Sequence, residues 1–298
     1  MGKRIVILGA GESGTGSAIL ATRHDYDVFV TDIGKIKDKY RDELLALNIE
    51  FEEGRHSPER LLEADLVVKS PGIPDDNETV RKIVDAGIPV ISEIEFAGRF
   101  TGAKTICVSG SNGKTTTANL IYDLLKRAGF NVALSGNVGH SFARQVAMGD
   151  YEYFVLELSS FQLDGMFEFK ADIAVLLNIT PDHLDRYSNN FNAYTDSKFR
   201  IINNQSADDY FIYWADDQVI SKELLSRSAK AQMLPFSDER SEGMAAYIAN
   251  NNLTLSIHKK TDTIMTIHDL ALKGRHNTFN SMAAAIAGKI LNIRKEII

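Results

Sequence analysis

A compact glycine loop followed by a lysine and a threonine is the strongest chemical motif in this sequence. It reads Gly110-Ser111-Asn112-Gly113-Lys114-Thr115, with two residues between the glycines where the common phosphate loop has four. An apolar run precedes the loop, and an amphipathic helical pattern follows it. Glycines let the backbone wrap a phosphate, and a helix N-terminus offers free N–H groups. The motif therefore predicts a nucleotide site in which Lys114 contacts the β- and γ-phosphates and Thr115 binds magnesium.

Two further side chains with suitable chemistry follow other apolar runs. Glu157 comes directly after the run at residues 154–156, and His183 follows the run at residues 174–179. Open α/β sheets place their ligands at the carboxyl ends of the strands. We therefore expect Glu157 to be a second magnesium ligand and His183 to lie at the same edge. The alternative for each residue is an ordinary surface position.

Lys198 stands out because of its place in a helical pattern. Phe191, Tyr194, Lys198 and Ile201 recur at the spacing of one helix face. A lysine on an inward face is costly unless it is paired or chemically changed. The alternative is a lysine whose ammonium group reaches solvent along its own aliphatic stem. Both interpretations stay open at this point.

A second glycine motif lies near the N-terminus. Residues 9–14 read G-x-G-x-x-G after a predicted strand, and Asp32 ends the next strand. This pattern is typical of a nicotinamide or flavin dinucleotide site, so an oxidoreductase is one hypothesis. The loop itself requires only a diphosphate, which a UDP-sugar also carries. An oxidoreductase would leave the phosphate loop at residues 110–115 without a role. A P-loop switch or motor protein, a third hypothesis, would leave the glycine loop at residues 9–14 without one.

The elements that must position these residues alternate between strands and helices. This alternation predicts an α/β fold: an N-terminal Rossmann-like parallel-sheet domain, then a P-loop ATPase-type α/β domain with a small antiparallel β addition within residues 246–267. A break in the pattern near residue 93 divides the chain into domains at 1–93 and 94–298. Strands are predicted at residues 4–8, 27–31, 66–69, 89–91, 105–109, 132–135, 153–158 and 173–178, and helices at 13–23, at 190–203 and at the C-terminal end.

The composition argues against a nucleic-acid-binding protein and against a membrane-inserted one. The net charge is −7, from 33 basic and 40 acidic residues, so no basic excess indicates a nucleic-acid partner. No stretch reaches the roughly 18 apolar residues of a membrane span, and the N-terminal apolar run is too short for a signal peptide. We therefore expect no membrane insertion and a cytoplasmic location.

Taken together, these motifs resemble those of the Mur ligases. Residues 110–116 are similar to the family's ATP loop, with Ser111 in place of the usual threonine, and Asn112 disfavours the L-alanine-adding branch. Residues 156–163, which read LELSSFQL, resemble the D-glutamate-adding branch. Further similarities to that branch lie at residues 70–73, 136–139, 182–187 and 274–277.

The resemblance assigns expected roles to individual residues. It implies an ATP site formed by Gly110, Ser111, Asn112, Gly113, Lys114, Thr115, Thr116, Asn277 and Asn280. It implies a site for the UDP-linked substrate formed by Gly11, Glu12, Ser13, Gly14, Thr15, Asp32, Ser70, Pro71, Gly72, Asn137 and Ser159. It also implies a catalytic set of Lys114, Glu157, His183 and Lys198, and ligands for two magnesium ions from Thr115, Glu157, His183 and a carbamylated Lys198.

The activity that the resemblance implies is amide formation driven by ATP. D-Glutamate would be joined to UDP-N-acetylmuramoyl-L-alanine through an acyl phosphate, in peptidoglycan precursor synthesis, by a monomer. Members of the family carry a third, C-terminal domain that closes over ATP and binds the incoming amino acid. The resemblance covers their first two domains, so we expect these 298 residues alone to be inactive. An NAD-dependent oxidoreductase that uses the first glycine loop is the alternative.

Overall fold

The computed structural model describes residues 2–257, 260–270, 272 and 274–298, and it divides into two compact units. Unit 1 comprises Met1–Gly102, Ser135–Asp150 and Phe161–Phe169. Unit 2 comprises Ala103–Leu134, Tyr151–Ser160 and Lys170–Ile298. Each unit is thus built from several chain segments, and a sequence division at residue 93 remains a proposal.

Strands and helices alternate along most of the described chain. The strands are β1 Arg4–Leu8, β2 Asp27–Asp32, β3 Glu50–Glu53, β4 Leu66–Lys69, β5 Val90–Ser92, β6 Lys104–Ser109, β7 Val132–Gly136, β8 Tyr153–Glu157, β9 Ile173–Leu176, β10 Tyr210–Trp214, β11 Gln232–Phe236, β12 Ala246–Ala249, β13 Asn252–Ile257 and β14 Lys260–Thr266. The α-helices are α1 Glu12–Arg23, α2 Asp38–Ala46, α3 Pro58–Leu61, α4 Glu78–Asp85, α5 Glu93–Gly98, α6 Lys114–Arg127, α7 Phe142–Met148, α8 Ser160–Asp164, α9 Phe191–Phe199, α10 Gln218–Leu224 and α11 Arg275–Ile290.

The sheet of unit 1 has five strands in the order β3-β2-β1-β4-β5, all parallel. Its central strand β1 is almost continuously apolar and buried, as expected of a parallel strand covered on both faces. Val6 and Leu8 of β1 pack with Phe29 and Val67 from the neighbouring strands. The carboxyl ends of β1, β2 and β4 therefore meet at one edge, where the first glycine loop begins.

The sheet of unit 2 has nine strands in the order β14-β13-β12-β11-β10-β9-β6-β8-β7. Strands β6, β8, β9, β10 and β11 pair in parallel, whereas β12–β13 and β13–β14 pair antiparallel. The predicted antiparallel addition is thus confirmed, although residues 258 and 259 within it lie outside the described part of the chain. The adjacent strands β8, β6 and β9 place Glu157, Ser109 and Leu176 at the same edge of the sheet.

Helices α6 and α11 pack against each other beside this sheet. Ile121 and Leu125 of α6 are fully buried, and so are Ala283, Ile286 and Ala287 of α11. The alanines let the two helices approach closely, and the apolar stripe predicted for the final helix is confirmed. This contact fixes the start of α6, which carries Lys114, against the start of α11.

Candidate functional site

The second glycine loop connects β6 to α6 and has a backbone that only glycine adopts readily. Gly113 has a φ of +87°, in the left-handed region, and a Cβ atom there would lie 2.5 Å from the side-chain oxygen of Asn280. The N–H of Ser111 donates to the carbonyl of Asn178 over 2.9 Å. The N–H of Asn112 donates to the side-chain oxygen of Asn178 over 2.8 Å. The loop is therefore held open by the end of β9 and by α11.

Lys114 begins α6 and folds back over its own loop. Its Nζ donates to the carbonyls of Gly110 and Ser111 over 2.9 and 2.8 Å. Burial lowers the pKa of the Lys114 ammonium, and the carboxylates of Glu157 and Asp182 partly offset that effect. A lysine that faces loop carbonyls and two carboxylates is well placed to exchange those carbonyls for phosphate oxygens.

Glu157 and Asp182 supply the negative charge of this site. Glu157 is the last residue of β8 and is 2% exposed, and it pairs in register with Val108 just before the loop. Asp182 acts electrostatically on both Lys114 and Tyr194. The sequence interpretation named Glu157 but passed over Asp182, whose signal was its place beside His183 after a buried strand.

Lys198 is buried, which decides between the two alternatives that its helical spacing left open. It is 2% exposed on α9, and its Nζ donates to the carbonyl of Gly110 over 2.9 Å and lies 3.4 Å from the hydroxyl of Ser109. The ring of Tyr194 lies 5.3 Å from the same nitrogen, and its hydroxyl lies 3.0 Å from the Oγ of Ser111. Two lysines, Lys114 and Lys198, thus contact one carbonyl of the loop, at Gly110.

The remaining residues proposed for this site differ in their surroundings. The His183 side chain is 62% exposed, and its Nε2 lies 3.7 Å from a carboxylate oxygen of Asp182. Thr115 is exposed at the start of α6, next to Lys114. Asn280 is 6% exposed, and its amide nitrogen lies 3.4 Å from the side-chain oxygen of Asn277. The side chain of Asn280 lies close against Gly113, and its expected contact with adenine stays a prediction.

These side chains suit magnesium held mainly through phosphates. Among the residues that the structure describes, no three or more His, Cys, Asp or Glu side chains gather as a ready-made metal cage. Mg²⁺ at phosphate sites is usually bound by one or two protein oxygens together with phosphate oxygens and water. The carboxylate of Glu157 and the exposed hydroxyl of Thr115 are such oxygens, so the donor chemistry fits the ion.

The first glycine loop connects β1 to α1 in unit 1. A Cβ atom on Gly14 would lie 1.8 Å from the carbonyl of Gly9, so close packing requires glycine there. Gly11 has open space around its Cβ position, with φ −81° and ψ −162°. The first glycine packs against β4, since the hydroxyl of Ser70 donates to the carbonyl of Gly9 over 3.2 Å. A ligand could therefore approach the backbone at Gly11.

Asp32 holds this loop together through both carboxylate oxygens. They accept hydrogen bonds from the N–H of Ala10 over 2.7 Å and from the N–H of Gly34 over 2.8 Å. Thr15 is fully buried, and its hydroxyl lies 3.4 Å from the carbonyl of Ala10. These two residues therefore shape the loop.

The structure brings most of the residues proposed for the UDP-linked substrate into one unit. Ser70, Pro71 and Gly72 follow β4, and Ser13 and Gly14 lie in the first turn of α1. Asn137 also belongs to unit 1, through the segment at residues 135–150, whereas Ser159 belongs to unit 2.

Among the helices that the structure describes, none is long and apolar enough to cross a bilayer.

Comparison with known proteins identifies two matching family models. The Mur ligase middle domain matches residues 108–288. The model described as Mur ligase MurD-like, N-terminal domain matches residues 3–92. The N-terminal match includes the first glycine loop and the middle-domain match includes the second, so the nicotinamide interpretation of the first loop is not favoured.

Curated relatives align with the whole chain. The UDP-N-acetylmuramoylalanine–D-glutamate ligase of Bacteroides fragilis is 52% identical over 297 residues, which cover 99% of this chain and 66% of the relative. The ligase of the same name from Christiangramia forsetii is 51% identical over 298 residues, which cover 100% of this chain and 67% of the relative. The chain thus spans about two thirds of the length of these relatives.

Solved structures support the fold. The UDP-N-acetylmuramate:L-alanyl-gamma-D-glutamyl-meso-diaminopimelate ligase from Neisseria meningitides has a TM-score of 0.68 at 23% identity, covering 100% of this chain and 96% of that chain. The UDP-N-acetylmuramate-alanine ligase MurC from Thermotoga maritima has a TM-score of 0.56 at 19% identity, covering 97% of this chain and 65% of that chain. With two family models and relatives above half identity, the chain belongs to the Mur ligase family.

Proposed function

We propose that this chain is the substrate- and ATP-binding part of a ligase that joins D-glutamate to UDP-N-acetylmuramoyl-L-alanine at the expense of ATP. The observation that carries the proposal is the phosphate loop, where Lys114 folds over the loop carbonyls at the carboxyl edge of the sheet and the charges of Glu157 and Asp182 act on it. The 52% identity to an enzyme of that name supplies the choice of substrates. Both observations support the assignment.

The ATP site would be built around the second glycine loop. The N–H groups of the loop and the start of α6 would bind the phosphates, and Lys114 would leave the carbonyls of Gly110 and Ser111 for phosphate oxygens. Asn277 and Asn280 would contact the adenine. The MurF ligase from Thermotoga maritima, which shares this fold, was solved in complex with ADP, and this is consistent with a nucleotide ligand.

Residues of the chain would also hold magnesium. Thr115 and Glu157 are the proposed ligands of one ion, and His183 with a carbamylated Lys198 would serve a second. When bound, magnesium would neutralise charge on the phosphates. Carbamylation of Lys198 would require loss of one proton from the ammonium group, addition of carbon dioxide to the neutral amine and loss of a second proton, so that a buried cation becomes a carbamate anion.

The reaction would proceed in two steps that the chain's residues assist. The alanyl carboxylate of the substrate attacks the γ-phosphate of ATP, which gives an acyl phosphate and ADP. Lys114 stabilises the charge on the transferring phosphoryl group. The amine of D-glutamate then attacks the acyl carbon, and phosphate leaves as the amide forms. The UDP part of the substrate would lie on the first glycine loop.

Calorimetric titration with two ligands tests this proposal. The chain should bind UDP-N-acetylmuramoyl-L-alanine saturably and should not bind NADH. Saturable NADH binding that the UDP-sugar fails to displace would instead support an oxidoreductase. Equal weak heats with both ligands would contradict either assignment of the first glycine loop.

Replacement of Gly11 with valine should weaken UDP-sugar binding. Gly11 has open space around its Cβ position and an extended backbone that valine adopts, so the variant should fold normally. The added methyl groups would occupy the path of the diphosphate, and we expect about a tenfold or larger loss of affinity. Titration with the UDP-sugar measures the effect. Gly102→Val is the matched control, because Gly102 also has open space and lies in unit 1. Equal losses in both variants would contradict the assignment.

A carbamate on Lys198 should be visible by carbon-13 NMR. We expect a carbamate signal when the protein is saturated with labelled bicarbonate, magnesium, the UDP-sugar and a nonhydrolysable ATP analogue. The signal should be absent from Lys198→Met prepared in the same way. Lys126 is exposed on α6, so Lys126→Met should retain the signal. A fully liganded protein without the signal would show that Lys198 remains an ordinary amine.

A further inference from the structure

The first glycine loop carries an acidic side chain next to the proposed binding site of the anionic diphosphate. Glu12 follows Gly11 and is the first residue of α1, where free N–H groups and the helix dipole attract negative charge. A free carboxylate in that first turn would accept the same N–H groups and would repel a diphosphate. Binding of a diphosphate at this loop therefore requires that the Glu12 carboxylate be held away from these N–H groups and that its charge be neutralised.

Arg144 of α7 provides that restraint. Its Nε donates to Oε1 of Glu12 over 2.8 Å, and its Nη2 lies 3.4 Å from Oε2. The N–H of Ser141 also donates to Oε1, over 3.2 Å. Burial acts to raise the pKa of Glu12, but the hydrogen bonds from Ser141 and Arg144 outweigh it and hold that pKa below its ordinary value. Glu12 is therefore an ionised carboxylate with both oxygens engaged by α7.

Contacts with two other helices hold the Arg144 side chain in place. Arg144 is 8% exposed, and its Nη1 donates to the carboxylate of Glu43 on α2 over 2.6 Å. Helix α7 lies tightly against α1, since a Cβ atom on Gly16 would lie 2.1 Å from the hydroxyl of Ser141 and 3.0 Å from the N–H nitrogen of Arg144. The guanidinium group thus joins α1, α2 and α7 within unit 1.

We propose that Arg144 is a positioning residue for the diphosphate of the substrate. By binding and neutralising Glu12, it keeps the N–H groups of the glycine loop available and removes the repulsion that Glu12 would exert. The inference rests on the proposed function, because it takes the first glycine loop as the UDP site. Arg144 does not touch the diphosphate in this assignment; it acts through Glu12.

Titration with UDP tests the inference in four proteins: the parent chain, Arg144→Met, Glu12→Gln and the double variant. Arg144→Met should bind UDP roughly tenfold more weakly, because one uncompensated charge then lies next to the diphosphate. The double variant should recover to within about threefold of the parent, because the repelling charge is gone. Arg99→Met is the matched control, since Arg99 forms a similar pair with Glu95 in the same unit.

Salt dependence separates charge neutralisation from a merely structural role. The defect of Arg144→Met should shrink as ionic strength rises from about 0.05 to 0.5 M, because salt screens the exposed charge of Glu12. A defect that neither salt nor Glu12→Gln relieves would overturn the inference. Affinity equal to that of the parent in Arg144→Met would also overturn it. A parent chain that does not bind UDP would overturn the proposed function together with this inference.

A second comparison applies if Arg144→Met fails to fold. Glu12→Gln keeps the backbone N–H of residue 12, the group through which Glu12 would belong to the diphosphate site, and leaves the bond of Arg144 to Glu43 in place. It should bind UDP at least as tightly as the parent. Arg144→Lys retains the positive charge but loses the two-pronged contact with Glu12, so its loss of UDP affinity should be smaller than that of Arg144→Met. A large loss of affinity in Glu12→Gln would show that the diphosphate site needs the carboxylate itself, which contradicts the inference.

Discussion

Replacement of Lys114 with methionine should weaken binding of magnesium–ATP by about ten- to a hundredfold, the value expected for the loss of charge-assisted hydrogen bonds. Methionine retains the length and much of the volume of lysine, so packing at the start of α6 is preserved. The Lys114 side chain donates hydrogen bonds to the carbonyls of Gly110 and Ser111, and both residues belong to the loop itself rather than to the core of the sheet. The fold should therefore survive, and the loss should appear in nucleotide affinity.

Calorimetric titration with a nonhydrolysable ATP analogue and magnesium measures this effect. Lys126→Met is the matched control, because Lys126 is exposed near the other end of the same helix and its nitrogen lies 3.1 Å from the hydroxyl of Tyr122. The control should bind the analogue as the parent does, and both variants should keep the parent's melting temperature. Equal affinity of Lys114→Met and the parent would remove Lys114 from the nucleotide site.

The parts of the molecule that local patterns specify could be predicted from the sequence. The strand–loop–helix around residues 105–125 and the first glycine loop are contiguous, and their apolar periodicity and glycines determine their form. The spacing of Phe191, Tyr194 and Lys198 left the burial of Lys198 open, because the buried residues of α9 include Thr195 and Ser197 as well as aromatic side chains. The edge at which Glu157 lies followed from the rule that parallel strands end together.

The parts that depend on distant chain segments could not be predicted in this way. The close approach of Asn280 to Gly113 joins residues far apart in sequence, and no local pattern indicates it. Strand β3 was missed because its sequence is three glutamates around one phenylalanine, a composition with little strand preference. Strand β10 was missed although its aromatic run is typical of a strand. The packing of α7 with α1 in unit 1 also had no local signal.

Glu93 should make the free energy of unfolding fall as pH rises, in contrast to most carboxylates. It begins α5 and is 2% exposed, and one carboxylate oxygen accepts the N–H of Ala143 over 2.6 Å. Burial, with a contribution from the charge of Glu12, raises the pKa of Glu93 from 4.5 to about 7. Below the pKa that Glu93 has in the unfolded chain, the carboxyl is protonated in both states and its ionisation does not lower the free energy of unfolding. The destabilisation grows as pH rises from about 4.5 to about 7 and then stays constant.

Urea denaturation of the parent and of Glu93→Gln at pH 5 and pH 8 tests this expectation. The free energy of unfolding of the parent, relative to that of the variant, should be about 2 to 3 kcal/mol lower at pH 8 than at pH 5, because glutamine carries no charge at either pH. All other titrating groups are common to both proteins and cancel in this difference. A difference that does not change with pH would show that Glu93 titrates normally.

Glu95→Gln is a control from the same helix with the opposite behaviour. Glu95 is 1% exposed, and burial acts to raise its pKa, but the N–H groups of residues 167–169 and the Arg99 guanidinium outweigh burial and lower it. Its stabilising contribution is thus complete above the unfolded pKa and is lost only as pH falls below it. Glu95→Gln should therefore cost the same stability at pH 5 and pH 8, and less below about pH 4. Two buried carboxylates two positions apart would then differ in the sign of their pH dependence. At Glu95 several N–H donors outweigh burial, whereas at Glu93 burial dominates, with a smaller contribution from the charge of Glu12.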